Sequence, residues 1–477
     1  MTSADPEPAV LAPPVQARLF SRAHRTAVTV LAGGVALYAM NLYFTAALLP
    51  SVVDDIGGGD LYAWVATGFL LAAVLASVLV SRTLARIGAR GAYLLGFLGF
   101  ALGAVITALA PAIGVLIAGR VVQGLGGGLL AGLGYAVLRS ALPRELWVKG
   151  AGLISGMWGV GALIGPSVGG VFAEIGAWRP AYVLLAVCAL LLAVASVRVL
   201  PPGGGTRTRA ERMPVASLGT LGLSVASFSL ISAFPGTAAT ASLLSAGVVF
   251  LLAFLVVEAR SRATVFPRAT FEHRNPLKWI YLLVATLCAG VMVETYVPLF
   301  GQGLGHLPPL VAGFLGATLS LGWVLVQLFS VRFRPAAARG SFLVAPLLLT
   351  ASMLAFAFIQ AADAQPGRLI AWTLLLVIGG VAIGAAFPHL SAAALAATSN
   401  EAEGAKAAAA LNITQLIAYA IASSLAGVFV HTGGPELVDS ARSLGIGLAA
   451  LCAIGVPAGW FLFRAPRHPH DGNVGSA

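Results

Sequence analysis

The chain has 477 residues, of which 59% are hydrophobic and only 9% charged, with a mean hydropathy of +0.94 and a formal net charge of +11. Soluble domains carry about 25% charged residues, so a soluble fold of this length is excluded and an integral membrane protein is expected. The excess positive charge is spread over short segments between apolar runs, which speaks for orientation in a membrane and against a nucleic-acid partner.

Residues 1–25 are polar and Pro-rich, then basic through Arg18, Arg22 and Arg25, and read as a cytoplasmic tail rather than a signal peptide. Apolar runs of the length that crosses a hydrocarbon core, about 20 residues, follow at 27–51, 61–81, 91–110, 112–137, 150–173 and 178–198. The basic linker "LPPGGGTRTRAERMP" leads to two more runs, about 216–234 and 240–257, divided at Pro235–Gly236. A second basic linker precedes six further runs at 277–301, 309–331, 341–361, 369–390, 407–430 and 443–463, and residues 465–477 form a second cytoplasmic tail. The expected fold is all-α and integral to the membrane. Six-helix bundles at 26–199 and 277–464 flank residues 200–276, which carry two inserted helices, making fourteen transmembrane helices. Two bundles around an insert suggest parallel repeats with a site between them.

The charges test this plan. With the N-terminus inside, 24 of the 28 lysines and arginines fall in inside segments, against Arg179, Arg368 and Arg442 outside and Arg120 within a span. Such a bias is the positive-inside pattern of a multi-pass plasma-membrane protein with both termini cytoplasmic. A re-entrant hairpin at 216–257 is the alternative for the insert, because removing both spans leaves every other orientation unchanged. Cys188, Cys288 and Cys452 all lie in spans, and their odd number points to free thiols.

Several motifs stand out along this frame. The fifth span, "AGLISGMWGVGALIGPSVGGVF", holds Gly152, Gly161, Gly165, Pro166, Gly169 and Gly170. Gly161, Gly165 and Gly169 recur every four residues and share a helix face that lets another helix approach closely. Pro166 removes a backbone donor and can kink the helix. The fourth span holds "AGRVVQGLGGG" with Arg120, Gln123 and Gly124, the second-to-third loop reads "SRTLARIGAR", and "AWRPAY" opens the sixth span. Glu294, in "CAGVMVETYVPLF", is the one acidic residue well inside a span. An acid at mid-depth costs about 2.5–3.5 kcal/mol on insertion scales, which makes it a functional candidate.

The fifth-span spacing resembles the antiporter motif of the major facilitator superfamily, in its drug:proton antiporter branches, with every glycine and the proline matched. The fourth-span Arg120, Gln123 and Gly124 are similar to that family's fourth-helix motif. Arg86, Gly88 and Arg90 match its cytoplasmic gating loop, with Ser81 and Ala85 where glycine and aspartate are usual. The fourteen-span plan resembles the larger drug:proton antiporter subfamily and actinobacterial efflux transporters. The resemblance implies proton-coupled efflux by alternating access, with no cofactor and no metal. It also implies that Asn41, nine residues before Pro50, stands where many relatives have an aspartate.

Since Asn41 cannot titrate, Glu294 is the expected proton carrier, with Arg120, the one basic residue at depth, as its partner. Burial favours a protonated carboxyl and a guanidinium favours an ionised one, so an element that moves the two together and apart would bind and release a proton. The rival reading is a structural acid bonded to a neighbouring helix. The expected substrate cavity is lined by Tyr38, Asn41, Tyr43, Gln123, Trp158 and Tyr296, with Phe44 and Phe387 near it. Such an apolar, aromatic cavity suits hydrophobic, amphiphilic or cationic molecules, and a lone Arg120 argues against polyanions. His389 reads as a packing residue or a relay. Gly165→Leu is expected to leave insertion intact and stop switching.

Other readings are narrower. None of the three lysines sits in a phosphate-binding loop, and the seven histidines show no zinc spacing. Partners are therefore a small molecule, protons and membrane lipid, with the chain acting as a monomer and not as an enzyme. An exporter or flippase of one lipid-like metabolite is the alternative; lateral opening and activity without a proton gradient would mark it. A scaffold or sensor predicts no gradient-dependent flux.

Overall fold

The computed structural model describes residues 20–21, 25–142, 146–200, 214–231, 234, 236–261, 264–272, 275–397 and 401–464. The two tails, most of the 200–215 linker and Pro235 lie outside these residues, with Arg18, Arg22, Arg144, Arg207, Arg209, Arg212, Arg262, Arg274 and Arg467.

Among the described residues the regular structure is helical throughout. Six helices come first: α1 Arg25–Ile56, α2 Tyr62–Val78, α3 Val80–Ala108, α4 Ile113–Ala141, α5 Trp147–Glu174 and α6 Trp178–Val199. The insert supplies α7 Val215–Leu230 and α8 Thr237–Arg260. Then follow α9 Leu277–Val291, a 3₁₀ turn Met292–Thr295, and α10 Val297–Gly303. The rest are α11 Pro309–Ser330, α12 Pro335–Phe358, α13 Pro366–Ala396, α14 Glu401–Thr432, α15 Leu437–Ala453 and α16 Gly455–Arg464. α9 and α10 form one 27-residue span and α15 and α16 one 28-residue span.

Thirteen spans among the described residues are long and apolar enough to cross a membrane, and the protein is a multi-pass membrane protein. The expected fourteenth, 216–234, is shorter than its apolar run: α7 has 16 residues, about 24 Å of helix against a core of about 30 Å. It stops at Leu230, where Trp64 Nε1 donates to the Ser229 carbonyl at 2.7 Å and satisfies a helix-end acceptor. α8, by contrast, is exposed along its length through Val248, Val249, Leu252 and Val256. With Leu95, Leu98 and Leu102 of α3 and Leu190 and Leu191 of α6, these form the apolar exterior that a bilayer requires.

α1 to α6 pack on one another, and so do α9 to α16. Two contacts dominate between these groups, α5 against α11 and α2 against α14, and α7 rests against both α2 and α14. Its Ser229 hydroxyl lies 2.7 Å from that of Ser424 in α14. The far end of the insert is fastened by Glu258, whose buried carboxylate accepts the backbone N–H groups of Val265 and Phe266 at 3.0 Å.

Glycine sets how closely the helices approach. A Cβ at Gly124 or Gly128 of α4 would lie 2.2 Å from the Phe69 or Ala73 carbonyl oxygen of α2, so α4 is pressed onto α2 backbone to backbone. Gly88 has φ 69° and breaks α3 near its start, a conformation that suits only glycine without strain. Here lies the expected gating loop. Arg86 is exposed and Arg90 half-buried, and neither makes an ion pair among the described residues.

Candidate functional site

The span that carries Glu294 is not one continuous helix. α9 ends at Val291, residues 292–295 turn as a 3₁₀ helix, and α10 starts with Pro298 in its first turn. Proline has no N–H to continue the ladder and fixes φ, so it suits a helix start and marks a discontinuity upstream. A 3₁₀ stretch within a helix is a common place for a hinge. Glu294 thus sits on a break, 5% exposed.

Each of its carboxylate oxygens accepts one hydrogen bond from Ser320. Ser320 N–H of α11 donates to Oε1 at 2.7 Å, and Ser320 Oγ donates to Oε2 at 2.8 Å. Tyr43 Oη of α1 donates to Ser320 Oγ at 2.6 Å. The result is a directed chain, Tyr43 to Ser320 to Glu294, that begins in the first helix group and ends in the second.

Arg120 is 1% exposed and bonded elsewhere. Its Nε donates to the Val65 carbonyl at 3.2 Å, and its Nη1 donates to Asn41 Oδ1 at 2.9 Å and Gln123 Oε1 at 2.6 Å. The Phe69 ring lies 4.3 Å from its guanidinium carbon. The expected Glu294–Arg120 pair is therefore absent among the described residues: both side chains are buried, but they turn to different neighbours. They do share a central cavity of ≈ 40 Å³, whose wall includes Tyr43, Arg120, Trp158, Glu294, Thr295 and Tyr419. Drug-sized ligands need about 300–1,000 Å³, so this cavity as it stands is too small for one.

Of the six residues expected on the cavity wall, Tyr43 and Trp158 are there. Asn41, Gln123 and Tyr38 stand behind Arg120 instead, fully buried. Tyr38 packs on Phe69 and Trp158 at 5.4 and 5.7 Å between ring centres. Phe44 packs on Tyr182, and Phe387 on Trp323. His389 donates from Nε2 to the Ser330 carbonyl at 3.0 Å and stacks on Phe333.

Tyr296 lies on the other side of a barrier. A vestibule of ≈ 770 Å³ opens at the end of the bundle where α1 meets α2, with Asp54, Asp60, Tyr62, Tyr296 and His431 on its wall. Tyr62 and Tyr296 stack at 5.1 Å, and Tyr62 Oη donates to the Thr295 carbonyl at 3.4 Å. A Cβ at Gly427 of α14 would lie 2.5 Å from that of Ala63 in α2. These contacts separate the vestibule from the cavity. At the same end, Asp55 accepts from Trp178 Nε1 at 3.0 Å and from Arg179 at 2.6 Å, which ties the "AWR" start of α6 to the end of α1.

The glycine face of α5 lies against α1. Cβ atoms at Gly161, Gly165 and Gly169 would lie 2.7 Å from backbone atoms of Ala39, Met40 and Phe44 respectively, all in α1 of the same group. The contact across groups is made by Gly159 against Val324, Gly170 against Leu310 and Pro166 against Gly313, the partners all in α11. Spacing defines a face but not what lies opposite. The surroundings of Gly152 fall outside the described residues. Ser320, Thr295 and Tyr419 were not singled out from the sequence; a serine in "GATLSLGW" carries no signal beyond its polarity.

The model of the Major Facilitator Superfamily matches residues 31–392. The chain is 45% identical over 450 residues to a probable multidrug-efflux transporter of Mycobacterium tuberculosis, covering 93% of this chain and 95% of that one. It is 31% identical to a triacylglyceride transporter of Mycolicibacterium hassiacum over 63% of this chain and 60% of the relative. In fold it is similar to a crystallised POT family transporter, with a TM-score of 0.67, 16% identity, and 91% and 96% of the two chains covered.

Proposed function

The chain belongs to the Major Facilitator Superfamily, and from that premise we propose that it is a plasma-membrane exporter of hydrophobic or amphiphilic compounds, driven by proton exchange. The bundles 26–199 and 277–464 rock about the central cavity, with 200–276 and its two helices as an insert. The vestibule faces outward and both termini face the cytoplasm. The observation that carries the reading is Glu294, a buried carboxylate on a helix break at the wall of a cavity between the two groups. The 45% identity to a multidrug-efflux transporter supports it.

In this reading Glu294 carries the proton. When it is ionised, both Ser320 donors point at it and Tyr43 donates into the same chain. A proton on Glu294 turns one oxygen into a donor, so Ser320 Oγ must accept where it had donated. The Ser320 hydroxyl hydrogen is then displaced from Glu294 at the point where Tyr43 of α1 bonds to α11, which links protonation to the contact between the bundles. The chain acts by moving its substrate unchanged, as a monomer without a catalytic group.

The test is flux of a diverse dye and drug panel from proteoliposomes under an imposed pH gradient. Accumulation that follows the gradient and collapses with it is expected. The similarity to a triacylglyceride transporter favours a second reading, export of a lipid-like molecule; lipid flux that is indifferent to the gradient, with no dye flux, would establish it instead.

Orientation has its own test. With Cys188, Cys288 and Cys452 replaced, single cysteines in the 199–215 and 258–276 linkers should resist an impermeant thiol reagent added outside intact cells, whereas Asp60→Cys in the vestibule should react. Labelling of the 199–215 linker from outside would overturn the topology.

A further inference from the structure

Arg120 is the one buried cation on the cavity wall, and its hydrogen bonding is incomplete. Its Nε and Nη1 are held by Val65, Asn41 and Gln123, but among the described residues Nη2 has no acceptor and the guanidinium makes no ion pair. The residues that hold it add further unmet donors. Because Asn41 and Gln123 turn their carbonyl oxygens to Arg120, their amide hydrogens point away. Asn41 Nδ2, Gln123 Nε2 and Tyr38 Oη are all buried without a partner. A charge and several donors buried without acceptors are costly, and inside a membrane such a cluster marks a site rather than a scaffold.

Across the cavity the polarity is reversed. Glu294 offers only acceptor oxygens, and it sits on the opposite helix group. Between the two poles the wall is apolar and aromatic, with Leu42, Leu49, Leu70, Met292 and Trp158. We propose that Arg120 receives an oxygen acceptor of the substrate, a carboxylate, phenolate or carbonyl, while Glu294 receives its cationic or donor end, so that the transporter selects dipolar amphiphiles carrying both. This rests on the efflux reading above and names its substrate class.

The sign of the exchange supports the dipolar form over a simple anion. A cationic group held by ionised Glu294 loses its partner when a proton arrives, so substrate and proton alternate. An anion held by Arg120 alone would bind better once Glu294 is neutral and would travel with the proton, which is the wrong direction for an exporter driven by proton entry. Arg120 adds affinity and orientation; Glu294 makes the binding exclusive.

The experiment uses the purified full-length protein in nanodiscs and two dyes read by fluorescence anisotropy: ethidium, a cation with no oxygen, and rhodamine B, which carries a cation and a carboxylate. Arg120→Gln is expected to weaken rhodamine B at least about tenfold more than ethidium, the scale of a lost charge-assisted hydrogen bond. Arg120→Lys keeps the charge but not the planar fork and is expected to shift the ratio in the same direction by less, which decides the matter if the glutamine variant does not fold. Equal loss of both dyes, or no change in their ratio in either variant, overturns the proposal and leaves Arg120 a structural or coupling residue. A wild type that binds neither dye overturns the efflux reading itself, and this inference with it.

Discussion

Glu294→Gln is expected to insert and fold normally, to bind cationic substrate more weakly while still leaking it downhill, and to lose uphill efflux driven by a pH gradient down to the background of empty vesicles. The amide has the shape of the acid it replaces. Its oxygen can still accept the Ser320 N–H that now lies at 2.7 Å, and its NH₂ can donate to Ser320 Oγ, which already accepts from Tyr43. The bonds from Ser320 N–H and from Tyr43 are kept, while the Ser320 hydroxyl hydrogen must turn away as it does when Glu294 is protonated, so the variant fixes the protonated arrangement at a modest cost in stability. What disappears is a group that can exist in two protonation states. Proteoliposomes loaded with dye separate the two properties: flux down a dye gradient persists, whereas accumulation against it does not. Glu294→Asp keeps the titrating group but withdraws it from Ser320 by one methylene, so partial pumping is expected. If Glu294→Gln still concentrates dye on a pH gradient alone, the proton is carried elsewhere and the helix break has another purpose.

The residues that were readable in advance and those that were not differ for physical reasons. Hydropathy and charge report composition over about 20 residues, so the long spans and the burial of Arg120 and Glu294 were legible from sequence. The 3₁₀ break at Met292–Thr295 lies in a run as apolar as any helix, and hydropathy does not register a change of hydrogen-bond register there. Pro298 was the available signal, since the chain upstream of a proline is steered away from helix. The same blindness explains α7, whose apolar run is longer than its helix. At the site, sequence reports depth but not direction. Arg120 and Glu294 share a cavity, yet one turns to Asn41 and Gln123 and the other to Ser320. Where every neighbour is apolar or small, nothing in the sequence says which helix a side chain will meet.

That limit bears directly on the glycine motif of α5, which has two faces with different jobs. Gly170→Leu is expected to leave the protein folded and to abolish most efflux, while Gly165→Leu, expected from the sequence alone to stop switching, is expected from its packing on α1 to lower the yield and melting temperature of folded protein instead. At Gly170 a Cβ would lie 2.5 Å from Leu310 Cα and 3.1 Å from its backbone nitrogen, and Leu310 begins α11 in the other bundle. A backbone cannot move aside as a side-chain tip can, so the two bundles must separate there. Overpacking costs about 1–3 kcal/mol, and it falls on the conformation with the vestibule sealed from the cavity. Since 1.4 kcal/mol is about tenfold in an equilibrium, the population shifts by roughly 5- to 150-fold toward the opposite state. At Gly165 the added atoms meet the Met40 carbonyl at 2.7 Å, Tyr43 Cβ at 2.8 Å and Phe44 N at 3.1 Å, all on α1 within the same bundle. That strain is present whichever way the bundles tilt, so it lowers stability without choosing between states. A cysteine at Leu49, on the cavity wall, reports the difference: an impermeant thiol reagent added from the vestibule side should label it faster in Gly170→Leu and at an unchanged rate in Gly165→Leu. Faster labelling in Gly165→Leu with its melting temperature intact would mean that the α1–α5 contact, and not α5–α11, is the one that moves.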